Sequence, residues 1–376
     1  MTTSSTTNVG IFVDSIGSYG RGVTRGILAY QRYRRWQISL MRTWVFQPTA
    51  FLHNWTGDGL IAMVPDPATA ELLARTGKPV VSVSSLLSEP HPLSVGADDY
   101  AVGQIAASHF LDRGFRHFGF FGPGQLNNAP AFVSERLRGY RDGVQAAGFD
   151  VVTGSGVGNM PKFLQSLTAP AAVFTANDEL GLQAIGWAER LSLRVPEAIA
   201  VMGVDNDDLL VESETVSLSS VALPTFKIGF EAAALLDTVM RGQTPDTPRV
   251  LLPPVGAVTR KSTDITAITD PDLSAALAFI REHAADPIDV STVVAAVPVS
   301  RRVLERRFQK YLQRSTLEEI QRVHIQRATS LLIDTELSIA EVAIASGFSS
   351  RSRFHATFAR ATGHTPKEYR EIHRSR

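Results

Sequence analysis

Over roughly its last ninety residues the chain repeats one helix–turn–helix pattern, which restricts the fold more than any other feature. In the second copy, Ile339, Val342 and Ala343 recur at helical spacing and a turn falls at Ser346-Gly347. Phe348 follows as an anchor, and Phe354 and Phe358 continue the apolar face on a second helix. The first copy places Val290, Val293 and Val294 before a turn at Val297-Pro298, then Val299, Leu304 and Phe308. Ser300 and Ser349 stand where each second helix is expected to be capped. Two units this short need a shared partner to bury their faces. The amphipathic stretch from Leu317 to Ile333 predicts one connecting helix between them. The outward residues of the second helices are donors: Arg301, Arg302 and Arg306, then Arg351, Ser352, Arg353 and His355. Such helices suit a DNA major groove, where Arg reads guanine edges and Ser or His make smaller contacts.

The charge distribution points the same way. The 376 residues hold 37 Lys or Arg and 37 Asp or Glu. From Ser300 onward, however, 15 basic residues face 8 acidic ones, whereas residues before 264 carry 21 and 23. A basic tail on a near-neutral body implies a localised polyanionic partner. Cysteine is absent, which excludes thiol catalysis, Cys-ligated zinc fingers and a disulfide framework, and fits the cytoplasm. The opening MTTSSTTNVGIFVD lacks a positive run followed by a long apolar core, so a polar lead into a strand is expected, with no signal peptide and no membrane span.

Between these ends, apolar runs alternate with helical stretches. Val9–Val13, Ile38–Met41, Gly59–Val64, Pro79–Val83, His117–Gly122, Ala171–Thr175 and Ala200–Val204 are strand candidates, the pattern of parallel sheet covered on both faces. A late strand, Val250–Val258, contains Pro253-Pro254 and belongs at an edge. Polar residues from Arg260 to Pro271 read as a linker, and Leu273–His283 as the first helix of the tail. Gly17, Gly20 and Gly22 miss the dinucleotide-binding spacing, and neither a phosphate-loop nor an H-E-x-x-H motif occurs. Asp178, Glu179 and Asp205 give no sign of the separated acid and base that glycoside hydrolysis needs. No catalytic residue, metal ligand or cofactor is therefore assigned.

Residues 338–370, SIAEVAIASGFSSRSRFHATFARATGHTPKEYR, resemble the second helix–turn–helix of AraC-type regulators, including the closing G-H-T-P-x-x-Y-R. SRRVLERRFQKYL resembles the first. Residues 9–260 resemble the effector domain of LacI-type repressors and periplasmic sugar-binding proteins, through DGLIAMV, SVGADDYAVGQIAASHFLDRGFRHFGFFG, SERLRGYRDGVQAAG, AVFTANDELGLQAIGWAERL and VPEAIAVMGVDNDD. The order, body first and AraC-type pair last, is similar to that of xylose operon regulators. The resemblance implies an α/β, two-lobed type I periplasmic-binding-protein-like body followed by an all-α double helix–turn–helix domain. The expected boundaries are 1–263 for the body, 264–271 for the linker and 272–376 for the DNA-binding domain. Within the body, lobes of about 9–122 plus 224–248 and 123–223 plus 249–260 are expected. The implied function is a sugar-responsive regulator, an activator of pentose genes answering to a D-xylose-like effector. Its implied partners are double-stranded operator DNA, a second copy in a homodimer and RNA polymerase. A repressor, or a regulator answering to another sugar, is the alternative.

In such folds ligands bind at the C-terminal ends of strands. Asp205 after AVMGV can accept from two hydroxyls, Asn177 after AVFTA can donate and accept, and Arg136 can fork to two oxygens. By resemblance these three match sugar-contacting positions. Asp14, Tyr19 and Arg21 after the first strand are further candidates, while Trp36 and Phe115, Phe118, Phe120 and Phe121 are expected in the core. Arg302, Arg306, Arg351 and Ser352 align with base-facing positions of the resembled family, whereas Arg301, Arg307, Arg353 and His355 are suited to holding phosphates. Glu305 suits either a cytosine amino group or an ion pair with Arg301. The chain departs from its relatives at three places: Pro298 replaces a turn glycine, Ala356 a longer polar residue, and Leu223 a polar one.

Overall fold

The computed structural model describes residues 7–14, 16–40, 52, 55–87, 89, 91–212, 216–265, 270–312 and 314–373. The polar lead, Met41 and residues 266–269 of the expected linker lie outside these. Two compact units result: residues 1–109 with 116–265, and residues 266–376 with the short segment 110–115. No described helix is long and apolar enough to cross a membrane.

The first unit is built on two six-stranded sheets. One runs β11-β5-β4-β3-β1-β2, from β1 (Asn8–Phe12), β2 (Gln37–Leu40), β3 (Gly59–Ala62), β4 (Val80–Ser82), β5 (Ser94–Ala97) and β11 (Arg249–Leu252). The other runs β12-β10-β9-β8-β6-β7, from β6 (His117–Gly122), β7 (Val151–Ser155), β8 (Ala171–Thr175), β9 (Ile199–Asp205), β10 (Ser219–Ala222) and β12 (Gly256–Val258). Every pairing is parallel except β10 with β12. Helices α1 (Ser18–Arg34), α2 (Pro67–Arg75), α3 (Asp99–Leu111), α4 (Ala131–Ala146), α5 (Met160–Ser166), α6 (Asp178–Arg190) and α7 (Thr225–Met240) follow the strands. Because helices cover both faces, β3, β4 and β8 are buried at every residue.

The lobe boundaries differ from the sequence expectation in two places. β6 pairs with β8 in the second sheet, so the first crossing falls at residues 97–99 and not after 122. α3 goes with it: Gln104 donates to the Gly139 carbonyl of α4 at 2.8 Å. The late strand is also two strands. Pro253-Pro254 separates β11, which lies beside β5, from β12, which lies beside β10. Proline offers no ladder N–H, and the chain changes sheets there. Strand–helix alternation runs unbroken through a crossing, so apolar pattern alone does not mark it.

The glycines of α1 serve packing. Gly22 and Gly26 lie on α1 against α7, where a Cβ at Gly26 would come within 2.0 Å of the Phe226 carbonyl. Tyr30 donates to Asp237 at 2.9 Å across the same contact, and Trp36, 4 % exposed, packs on the Tyr30 ring. Phe118, Phe120 and Phe121 on β6 are all buried, and so is Phe115, in keeping with their apolar pattern.

The second unit has seven helices among its described residues from 270 onward: α8 (Pro271–Glu282), α9 (Val290–Ala295), α10 (Arg301–Leu312), α11 (Thr316–Asp334), α12 (Ile339–Ala345), α13 (Arg351–Thr362) and α14 (Pro366–His373). α11 is the shared partner. Its Ile320 and Val323 close a core with Leu277, Val293, Leu304 and Phe308. Its Ile325, Ala328 and Leu332 close a second core with Val342, Phe354 and Phe358. Ser315 and Glu318 form a capping box at its start. The cap of α13 is Ser350, whose side chain accepts from the Arg353 N–H at 3.2 Å, one residue later than expected because the helix begins at Arg351.

The closing motif has a packing reason. Gly363 ends α13 at φ 73°, Thr365 and Glu368 cap α14, and Tyr369 meets Phe358 edge-on at 5.3 Å. Gly347 holds the turn after α12 at φ 79°, where a Cβ would stand 2.6 Å from both the Asp286 carbonyl and His324 Nε2. Gly347→Ala therefore meets both a disfavoured backbone and backbone crowding. It is expected to destabilise the helical unit by about 2 kcal/mol, read as a lowered urea midpoint followed by circular dichroism.

Candidate functional site

A cavity of about 210 Å³ opens between the two sheets of the first unit, lined by residues including Tyr19, Met63, Ser85, Asp99, Phe132, Arg136, Asn177 and Asp205. It is smaller than the ~300–1,000 Å³ of sites for drug-sized ligands, and so suits one small polar ring. Arg136 is its organising cation. Its Nε donates to Asp99 Oδ1 at 2.9 Å and its Nη1 to the Ala176 carbonyl at 2.6 Å, while Phe132 lies under the guanidinium at 4.8 Å. Nη2 has no protein partner among the described residues. An arginine this buried is tolerated because it is paired and hydrogen-bonded.

Asp205 ends β9 at φ 103° and Asn206 follows at φ 53°. Non-glycine residues rarely hold positive φ, and such strain gathers at functional sites. The turn is braced from behind. Ser220 donates to Asp178 Oδ1 at 2.6 Å and accepts from the Asn206 N–H at 2.9 Å, and the Asp207 N–H donates to Asp178 Oδ2 at 2.9 Å. Asp178 is thus occupied as a support. The Asp205 carboxylate makes no protein hydrogen bond among the described residues, which leaves it for a ligand. Asn177 uses its side-chain oxygen to cap α6 through the Leu180 N–H at 3.0 Å, keeping its NH₂ as a donor. Tyr19 donates to the Val83 carbonyl at 2.7 Å, so its hydroxyl oxygen can still accept.

Four of the six expected ligand residues therefore meet: Asp205, Asn177, Arg136 and Tyr19. Asp14 and Arg21 do not line the cavity. Asp14 closes its own turn by accepting from the Ile16 N–H at 2.9 Å, and Arg21 pairs with Asp207 at 3.0 Å. Asp99 and Phe132 escaped the sequence reading. Asp99 follows a strand end, where an acid is an acceptor signal. Phe132 stands four residues before Arg136, so both fall on one helix face. Leu223 is buried in the crossing from β10 to α7, outside the cavity lining.

Burial raises the Asp205 carboxyl to about 6, against the opposing pull of Arg136 and with help from Asp99, Glu179 and Asp207. Burial also raises Asp178 to about 7, with Asp205 adding. A carboxyl raised above its unfolded range (~3.9) contributes stability at low pH that is lost as pH rises through the folded value. Above pH 6 the ligand-free fold therefore carries Asp205 as a liability. Asp205→Asn is expected to stabilise the ligand-free protein at pH 8 by about 1 kcal/mol, less than the full shift because Asn forfeits the attraction of Arg136. At pH 4 little gain is expected, and melting curves at the two pH values check this.

In the second unit Arg301, Arg302, Arg306, Arg351, Ser352 and Arg353 are exposed, and the five arginines make no ion pair among the described residues. The turns before α10 and α13 are five residues each, so Pro298 leaves the spacing of the first copy intact. Two other expected contacts are otherwise engaged. Glu305 is half-buried and accepts from the Thr316 N–H at 3.2 Å, bracing the start of α11. Arg307 pairs with Asp270 at 2.7 Å and Asp272 at 2.5 Å, tying α10 to α8. His355 is half-buried, with its ring edge-on to Phe354 at 5.7 Å, and Ala356 is exposed.

Residues 107–263 match the periplasmic binding protein-like domain family, and residues 293–372 match a helix-turn-helix domain family. The xylose operon regulatory protein of Escherichia coli strain K12 is 32% identical over 336 residues, 85% of this chain and 86% of that protein. Its counterpart in Haemophilus influenzae is 29% identical over 369 residues, 94% of this chain and 95% of that one. The solved structure of a xylose-binding transcription activator, xylR, covers 99% of this chain and 100% of its own at 29% identity, with a TM-score of 0.62. An α/β ligand-binding body, a basic helical tail and these likenesses converge: the chain belongs to the xylose operon regulatory protein family, sugar-responsive transcription regulators that bind DNA through helix–turn–helix units.

Proposed function

We propose that this regulator answers to D-xylose or a closely similar pentose, and that it activates genes for using that sugar. The observation that carries the reading is Asp205, a carboxylate at the rim of a one-ring cavity with no protein partner among the described residues. A neutral sugar supplies what it lacks, two adjacent hydroxyl donors, while the free Nη2 edge of Arg136 and the NH₂ of Asn177 take hydroxyl oxygens. Phe132 presents an apolar face to ring C–H groups. The names of the E. coli relative and of the solved activator support xylose as the effector.

DNA reading follows from the exposed arginines. Arg302, Arg306, Arg351 and Ser352 face base edges, Arg301 and Arg353 hold phosphates, and α10 and α13 enter successive major grooves. The regulator acts in the cytoplasm as a homodimer, and sugar-driven lobe closure shifts the placement of the paired DNA-binding units where they meet RNA polymerase. A ligand acts this way by preferring one geometry.

Calorimetric titration of the full chain with D-xylose, other pentoses and hexoses tests the effector, and tight binding of a hexose alone would overturn it. Asp205→Ala is expected to abolish the heat of binding and the response in a reporter strain. Since hydroxyl donors need the ionised carboxylate, affinity should be full at pH 8 and fall by about tenfold per pH unit below the Asp205 value of about 6. Arg302→Ala and Arg351→Ala should each weaken cognate DNA by about 1–3 kcal/mol and relax discrimination at one position. Equal losses on random DNA would reassign that arginine to phosphate.

A further inference from the structure

The two lobes of the body touch at two rims of the cavity. At one rim the Phe132 N–H donates to the Ser85 carbonyl at 2.8 Å and the Ala131 N–H to the Leu86 carbonyl at 3.3 Å, and the Ser85 hydroxyl hydrogen-bonds the Asp99 carboxylate. At the other the contact is an ion pair. Arg21, on α1 of the first lobe, places Nη2 at 3.1 and 3.0 Å from the two carboxylate oxygens of Asp207, which follows β9 of the second lobe. Arg21 is also anchored to its own lobe through the Ile16 carbonyl. The pair lies outside the cavity lining.

Asp207 cannot easily do without this partner. Its side chain is 7 % exposed, and its neighbours across the second lobe, Asp178 and Asp205, are also acids. With the lobes together the Arg21 cation offsets the repulsion of these acids, and separating the lobes gives up that attraction, leaving Asp207 only the Leu209 N–H at 3.1 Å. The link also runs on to the ligand-facing turn. The Asp207 N–H donates to Asp178, and Asp178 and Ser220 together hold Asn206 beside Asp205.

We propose that the Arg21–Asp207 pair is a clasp between the lobes that sets how much of the ligand-free protein is closed, and thereby the sugar concentration at which the regulator responds. It rests on the reading of the cavity as a sugar site. Apparent affinity scales with the fraction already in the binding-competent state, so a residue that never touches the sugar tunes sensitivity by shifting that fraction.

The chain has no cysteine, so Glu71→Cys on α2 and Glu189→Cys on α6, both exposed, give one spin-label pair across the lobes of the full-length protein. Distance distributions are measured without sugar for the labelled parent, for Arg21→Gln and for Arg21→Lys. Arg21→Gln should move population to longer distances and raise the D-xylose dissociation constant about tenfold, with Arg21→Lys between it and the parent. Identical ligand-free distributions for the parent and a folded Arg21→Gln overturn the clasp. If Arg21→Gln fails to fold, Arg21→Lys with the parent's distribution and affinity overturns it equally. A parent that binds no pentose overturns the sugar reading instead, and leaves the sugar-free comparison of distances standing on its own.

Discussion

A guanidinium inside a protein needs pairing and hydrogen bonds, and the cavity of the body is arranged around meeting that need for Arg136 at every nitrogen but Nη2. Asp99 at the start of α3, the Ala176 carbonyl after β8 and the Phe132 ring one turn earlier on α4 each take part. Satisfying one cation therefore draws three elements to one point. The same cation makes the other acids tolerable, since it opposes the effect of burial on both Asp99 and Asp205. Without it the strand ends would present a cluster of carboxylates that could stay charged only at high cost.

The helical unit meets a different constraint. Neither helix–turn–helix copy has enough apolar surface to stand alone, and α11 lends one half of its length to each. Charged groups reinforce this role. Glu319, 2 % exposed, is held between Arg314 at 3.1 Å and Arg322 at 2.7 Å, and Glu305 reaches over from α10 to the first turn. Several acids of this unit are likewise engaged internally, Asp270 and Asp272 with Arg307 and Asp289, Glu318, Glu341 and Glu368 in helix caps.

What could be read from the chain divides along physical lines. Periodicity located the strands, the helices and the shared role of α11, because burial imposes it directly. It placed Phe118 in the core and Asp205 at a strand end. It could not say where the chain leaves one sheet for the other, since β6 has the same apolar pattern whichever sheet it joins. Nor could it rank polar residues of similar type. Arg21 and Arg136 both follow strand signals, yet one binds across the lobes and the other turns inward. Asp207 and Glu305 look like free acids until their partners, 186 and 11 residues away, are known. Long-range pairing of charge is invisible in local pattern.

The sharing of α11 has a consequence on the DNA side. A helix of 19 residues is a rod of about 28 Å, and both cores are fixed to it. The separation of the two helix–turn–helix units is thus set by the hydrogen-bonded geometry of a helix and not by a flexible tether. Each added base pair rotates a half-site by about 35° around the duplex axis. On the proposed reading, in which both units enter the major groove, bases within each half-site can change step by step, but an inserted or lost base pair between them breaks helical phase at once. Selection on these operators should therefore guard spacing more strictly than sequence.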